Sequence, residues 1–268
     1  MALRSSERSA RPPYSELISA WRSLSGREGF SLREVACVGA QRTLLLAELL
    51  QPGAPIVSIA AGVHGDEPAA PWALHSLVRD GLLDRAFAYR LWPCTNPSGY
   101  ELGTRQNAEG ADINRSFGRG GQTPEARAII TATRDRKFAL TMDLHEDYEA
   151  AGFYCYESVL DGSPHLSPAV VRAVDDAALH VQDLDDEFEL GYPPEARHLR
   201  VLERGRVLPN ASAEMAFAGT MPYSMYLLRN KSAPRSLTVE SPRSWSWDDR
   251  IAVHRIVVTS ALATLRSF

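Results

Sequence analysis

The chain has 268 residues, 44% hydrophobic and 23% charged, which is too apolar for a disordered linker and ample for one large domain. Its 29 basic and 33 acidic side chains leave a net charge of −4, without the basic surplus of a nucleic-acid binder. Three cysteines cannot build a disulfide framework, and no apolar run approaches the ~20 residues of a membrane span. Residues 1–30 lack the apolar block of a signal peptide. The expectation is a soluble, cytoplasmic protein with neither nucleic-acid nor membrane partners.

In chain order, residues 1–13 read as a polar leader, followed by a helix over Tyr14–Leu24 with apolar residues at helical spacing. Short β-like runs come next, at Val35–Val38, Leu44–Leu50 and Ile56–Ala61. The last is nearly all apolar, as in a strand buried on both faces. A helix over Pro71–Leu83 and a strand over Ala88–Cys94 follow. Thr123 is a good N-cap, with Pro124 at the first helical position. Beyond lie a strand over Lys137–His145, a helix over Ser167–His180, a strand over Ser236–Glu240 and a closing helix over Asp248–Leu265. Such alternation predicts an α/β layer architecture with a mostly parallel or mixed sheet. We read residues 1–30 as leader and short helix, and 31–268 as one domain. Residues 181–235 give no clear element and suit substrate-facing loops or surface decoration.

Four clusters carry chemistry. The first, His64-Gly-Asp-Glu67-Pro68, follows the apolar strand. Glu67 precedes proline and so stays out of the helix, while Pro68 suits its first position. His64 and Glu67 thus sit at the carboxyl end of a strand, where α/β sheets place ligands, and could share one Zn²⁺. In the second, Asp143-Leu-His145-Glu146, a histidine again ends a strand and could complete a His₂Glu set. The third runs from Asn96-Pro-Ser-Gly99 through Arg105-Gln-Asn107 to Asp112-Ile-Asn114-Arg115. Its arginine forks suit a carboxylate ligand, or a salt-bridged loop. The fourth is Glu240, at the end of an apolar strand. Each cluster alone is as readily structural. No Gly-x-Ser-x-Gly elbow marks a serine hydrolase, and Gly118–Gly121 lacks the signature of a phosphate loop. His75, His165, His180, His198 and His254 have no ligand-like spacing.

In this order the four clusters resemble the zinc carboxypeptidase family (peptidase family M14), with its aspartoacylase and succinylglutamate desuccinylase relatives, from about Ile56 to Pro242. The resemblance implies one α/β domain with a mixed sheet of about eight strands between helices. It implies one Zn²⁺ held by His64, Glu67 and His145, with Asp112 accepting the second ring N–H of His64. Glu240 would be the general base that deprotonates water and then protonates the leaving amine. Arg105 would stabilise the oxyanion, and Asn114 with Arg115 would hold a free substrate carboxylate.

Departures from the family are visible too. Where digestive carboxypeptidases have Ser-Tyr after the third ligand, this chain has Glu146-Asp147. A tyrosine that closes over the substrate could be Tyr223 or Tyr226. Gly219-Thr-Met-Pro-Tyr223 resembles the specificity-pocket loop but lacks an aspartate, so a basic C-terminal residue is not the expected substrate. The acidic run Asp183–Glu189 reads as a solvated loop. The implied function is a metallocarboxypeptidase acting on a small peptide. An N-acyl-amino-acid or amide deacylase is the alternative enzyme, and a silent binder of peptide termini the non-enzyme one.

Overall fold

The computed structural model describes residues 11–39, 42–118, 121–160, 162–183, 200–209 and 219–268. Residues 1–10 of the leader, residues 184–189 of the acidic run, His198 and residues 119–120 lie outside that set. The strands are β1 (Phe30–Val38), β2 (Arg42–Leu49), β3 (Ile56–Ala61), β4 (Ala88–Trp92), β5 (Leu140–Asp147), β6 (Tyr154–Val159), β7 (Arg200–Glu203), β8 (Arg206–Pro209) and β9 (Arg235–Pro242). They form one mixed sheet in the order β1-β2-β4-β3-β5-β9-β6-β8-β7. The helices are α1 (Tyr14–Arg22), α2 (Ala69–Arg79), α3 (Pro97–Leu102), α4 (Pro124–Thr133), α5 (Ser167–Asp176), α6 (Tyr223–Arg229) and α7 (Trp247–Arg266), with a 3-10 turn over Ile113–Arg115. No helix among the described residues is long and apolar enough to cross a membrane.

Strand alternation divides the core in two. Leu45 and Ala47 of β2, Val57 and Ile59 of β3, and Met142 and Leu144 of β5 pack with α1, α2, α5 and α7 on one face. Leu44 and Leu46 pack with α4 and α6 on the other. Period two therefore sends Asp143 and His145 to the face opposite Met142 and Leu144, and Glu240 to the face opposite Leu237 and Val239. α1 packs into the first core through Leu17 and Trp21, both fully buried.

Several boundaries move, for local reasons. α2 stops at Arg79 because Gly81 takes a left-handed conformation (φ 66°) and Leu82 N–H reaches back to Leu77 O, closing the helix end. α5 ends at Asp176 in a similar way, with Ala178 at φ 58° and Leu179 N–H bonded to Val174 O. Pro68 is the N-cap of α2 and not its first residue. Thr123 caps α4 as expected, accepting from Ala126 N–H at 3.2 Å. β7 and β8, within the stretch that showed no element, are an antiparallel hairpin turning at Arg204-Gly205. They extend the expected sheet of about eight strands to nine.

β3 pairs in parallel with β4 on one side and with β5 on the other, and β5 pairs in parallel with β9. The chain reverses its direction of travel across the sheet at β3. That makes the carboxyl ends of β3 and β5 a topological switch point, where crevices open in α/β sheets.

Candidate metal centre

His64 and Glu67 follow the end of β3, and His145 lies near the end of β5 on the face opposite Met142 and Leu144. The structure brings the three together, one ligand atom of each lying within 4.8 Å of the others. Both imidazoles present Nδ1 to one carboxylate: His64 Nδ1 lies 2.5 Å from Glu67 Oε1, and His145 Nδ1 lies 3.0 Å from Glu67 Oε2. All three side chains are buried. Burial works against ionising Glu67, yet the two histidines outweigh it and hold its carboxyl well below the usual range. Burial likewise opposes protonation of His64, and the Glu67 and Asp112 carboxylates reverse that, raising its pKa. Among the described residues His64 Nε2 has no hydrogen-bond partner, and Asp112 Oδ1 lies 3.6 Å from it. Two imidazoles and a carboxylate converging in a buried pocket are a donor set suited to a divalent cation, so these residues fit the implied metal.

Glycine and asparagine chemistry explains the loops. A Cβ on Gly65 would lie 1.8 Å from the Gly99 carbonyl carbon, so the His64–Glu67 turn can rest on the start of α3 only without a side chain there. Asn96 caps α3 by accepting from Gly99 N–H (2.9 Å) and donates to Arg105 O (3.1 Å), fixing where Arg105 begins. Asn107 Oδ1 accepts from Glu109 and Ala111 N–H, folding the turn that returns the chain to Asp112. Asp112 Oδ1 caps the 3-10 turn through Asn114 N–H (2.8 Å), and its Oδ2 receives Arg105 Nε and Nη2, each at 3.1 Å. Arg105 Nη1 lies 3.3 Å from His64 Nδ1, so its guanidinium borders the ligand cluster.

Glu240 stands directly abreast of His145 in the β5–β9 pairing and opposite Tyr154 in the β9–β6 pairing. Neighbouring strands lie about 4.8 Å apart, so the three residues form one row on the same face. Burial, with the charges of Glu67 and Asp147, pushes the Glu240 carboxyl up. Arg115 is partly buried, and its guanidinium feels Asp112, Tyr156 and Glu240. Asn114 lies beside it on the 3-10 turn. Asn114, Asp143 and Tyr223 line a cavity of about 10 Å³ behind His145, room for about one water. The Gly219–Tyr223 loop itself lacks an aspartate, but Asp143 brings a buried carboxyl to this cavity from β5. Burial pushes that carboxyl toward its neutral form. The space is too small for a lysine or arginine side chain.

The structure also answers what the sequence left open. The Tyr223 hydroxyl sits between Ser58 (3.2 Å) and Trp92 (3.3 Å) and the ring is buried, so Tyr223 is a core residue and not a closing one. Tyr226 packs against the same cluster. The Glu146-Asp147 pair that replaces Ser-Tyr has a structural use. Glu146 Oε1 accepts from Ala69 N–H at the start of α2 (2.6 Å), and its Oε2 meets Arg250 of α7 (2.6 Å). One buried carboxylate thus ties both ligand-bearing segments to the last helix. Asp147 accepts from the Tyr154 hydroxyl (2.6 Å), and its carbonyl receives Arg243 N–H (2.7 Å). Arg243 in turn pairs with Asp66, between the two ligands of the first turn (3.1 Å). His254 of α7, with no ligand-like spacing, is buried 3.2 Å from Ser241, and burial pulls its pKa down to about 3. Arg250 and Arg243 belong to none of the four clusters, because only the folded chain brings them to Glu146 and Asp66.

Truncating Glu146 to alanine should leave the Arg250 charge and an α2 N–H stranded. The expected cost is about 3–5 kcal/mol in urea unfolding, with Glu146→Gln recovering part of it. A loss under about 1 kcal/mol would show that the clamp carries no weight.

Comparison with known proteins finds relatives in sequence and in fold. Residues 54–181 match the succinylglutamate desuccinylase/aspartoacylase catalytic domain. The chain is 31% identical to carboxypeptidase D of Mus musculus over 54% of its own length and 13% of that protein's. It is 40% identical to murein peptide amidase A of Escherichia coli K12 over 28% of this chain and 33% of that one. The chain therefore spans well under half of the curated relatives it matches. A Shewanella denitrificans OS217 crystal structure superposes with a TM-score of 0.74 at 18% identity, covering 95% of this chain and 91% of the other. Carboxypeptidase A of Helicoverpa armigera gives 0.67 at 16% identity, covering 95% and 73%. The fold is that of carboxypeptidase-like metallopeptidases, and residues 54–181 are similar to the succinylglutamate desuccinylase/aspartoacylase catalytic domain, a likeness that the motifs also carry.

Proposed function

We propose that the chain is a zinc-dependent carboxypeptidase-type hydrolase that cleaves a peptide or amide bond next to a free carboxylate. The observation that carries this reading is the row that places Glu240 abreast of His145, with Arg105 bordering the His64–Glu67–His145 cluster. Zinc held by these three residues would polarise the scissile carbonyl and bring the pKa of water down to about 7. Glu240 takes a proton from the attacking water and returns it to the departing nitrogen. Arg105 faces the negative charge that develops on the carbonyl oxygen. Asp112 holds Arg105 and faces the far nitrogen of His64, steadying both. Asn114 and Arg115 receive the substrate carboxylate, Arg115 through its two-pronged fork.

An N-acyl-amino-acid deacylase is the second reading, favoured by the domain matched over residues 54–181. A silent binder of peptide termini would have no use for Glu240. The test compares free-acid and C-terminally amidated versions of one substrate. A hydrogen bond to a charged group contributes about 1.5–3 kcal/mol, so Arg115→Ala should lower kcat/KM by roughly 10–150-fold on the free acid. It should have little effect on the amide, and Arg115→Lys should recover only part of the loss. Equal wild-type activity on both substrates would remove the carboxypeptidase reading in favour of the deacylase.

A further inference from the structure

Away from the metal centre, an open groove of about 560 Å³ lies between α4 and the β1–β4 part of the sheet. Arg33 and Glu34 of β1, Arg90 of β4, Arg127 of α4, and Arg134 and Arg136 just beyond α4 line it. Glu34 and Glu48 are already engaged, and Asp135, between Arg134 and Arg136, is exposed and outside the lining. Glu34 pairs with Arg22 (2.7 Å), and Glu48 is shared by Arg90 (3.1 Å) and Arg33 (3.7 Å). Among the described residues Arg127 bonds only backbone carbonyls, at Gly121 and Gln122, which carry no balancing charge. Arg134 and Arg136 are exposed, and neither has an acidic partner among the described residues. Arg90 is buried, and besides the cost of burial it is repelled by Arg136 and Arg33.

Five guanidinium groups from β1, β4, α4 and the segment after α4 therefore crowd one groove on a chain whose net charge is −4. Their mutual repulsion would be relieved by a ligand that brings several negative charges into a small space. We propose that the groove binds a linear oligophosphate at a site separate from the metal centre. Guanidinium forks match phosphate oxygens in pairs, and successive phosphates supply the charge density that carboxylates spread along a peptide do not. The rest of the lining is small or aliphatic, without an aromatic ring on which a base could stack. A nucleic acid is thus a poorer fit than a bare phosphate chain.

Calorimetric titration of the full chain with sodium tripolyphosphate tests the site. Binding should weaken as ionic strength rises from about 0.01 M to about 0.15 M, which shortens the Debye length from about 30 Å to about 8 Å. Inorganic phosphate should bind at least about tenfold more weakly, because it engages fewer arginines. The double charge reversal R134E/R136E, on exposed positions, should weaken tripolyphosphate about tenfold or more and leave metal content unchanged. Failure of tripolyphosphate to bind at low salt would overturn the proposal. So would equal affinity for inorganic phosphate, or an unchanged affinity in the double variant. Tighter binding of a thymidine oligonucleotide would assign the groove to nucleic acid instead.

Discussion

Glu240→Gln should reduce turnover by roughly 10²–10⁴-fold while leaving the metal bound. Glutamine keeps the shape of the side chain and a carbonyl acceptor but cannot take up a proton. Its position explains why metal binding should survive, since Glu240 sits beside His145 in the strand pairing and is absent from the ligand cluster. Without a cation nearby, burial and the Glu67 and Asp147 charges push the Glu240 carboxyl up. A divalent cation held by His64, Glu67 and His145 adds a positive charge nearby, which favours the ionised base. The glutamine variant should therefore retain one metal per chain by elemental analysis, with KM little changed and kcat carrying the loss. Near-normal kcat would exclude Glu240 as the base. Loss of the metal would instead show that Glu240 is needed for the centre itself.

Much of this was legible because the chemistry-bearing residues sit on short-range signals. His64, Glu67 and His145 end apolar runs, and an apolar run with a polar end reads as a buried strand with its ligand edge. Thr123-Pro124 announced α4 through capping and a fixed proline φ, both local effects. Long-range packing was not legible. The Asn-Pro-x-Gly and Arg-x-Asn motifs are readable as strings, but only the fold shows that they cap α3 and shape the turn that carries Asp112. Nothing in a single sequence says that Glu146 meets Arg250, 104 residues on, or that Asp143 joins Tyr223 around one cavity. β6 was missed because its neighbours lie at a distance: β9 is antiparallel on one side and the β7–β8 hairpin lies on the other. By sequence Tyr223 could be the tyrosine that closes over the substrate, yet its hydroxyl is held by two partners from β3 and β4.

Replacing His64 and His145 together by alanine should empty the centre. Glu67 would then remain as a lone buried carboxylate, with both of the groups that now hold it ionised removed. One carboxylate cannot supply the nitrogen donors that favour zinc over the abundant oxygen-seeking cations. The readout need not depend on activity. A ligand that binds only the folded state stabilises it by about 2.7 kcal/mol at a hundredfold excess over its Kd. Wild-type protein, stripped by chelator and titrated with zinc, should therefore gain several degrees in thermal midpoint, about 2–4 °C for each kcal/mol in a chain of this size. The double variant should gain none, and elemental analysis should find no retained zinc after purification. A stabilising shift of wild-type size in the double variant would place the cation on other residues. It would also sever the tie between the His64–Glu67–His145 cluster and the proposed hydrolysis, because Glu240 would then stand beside an ordinary buried histidine.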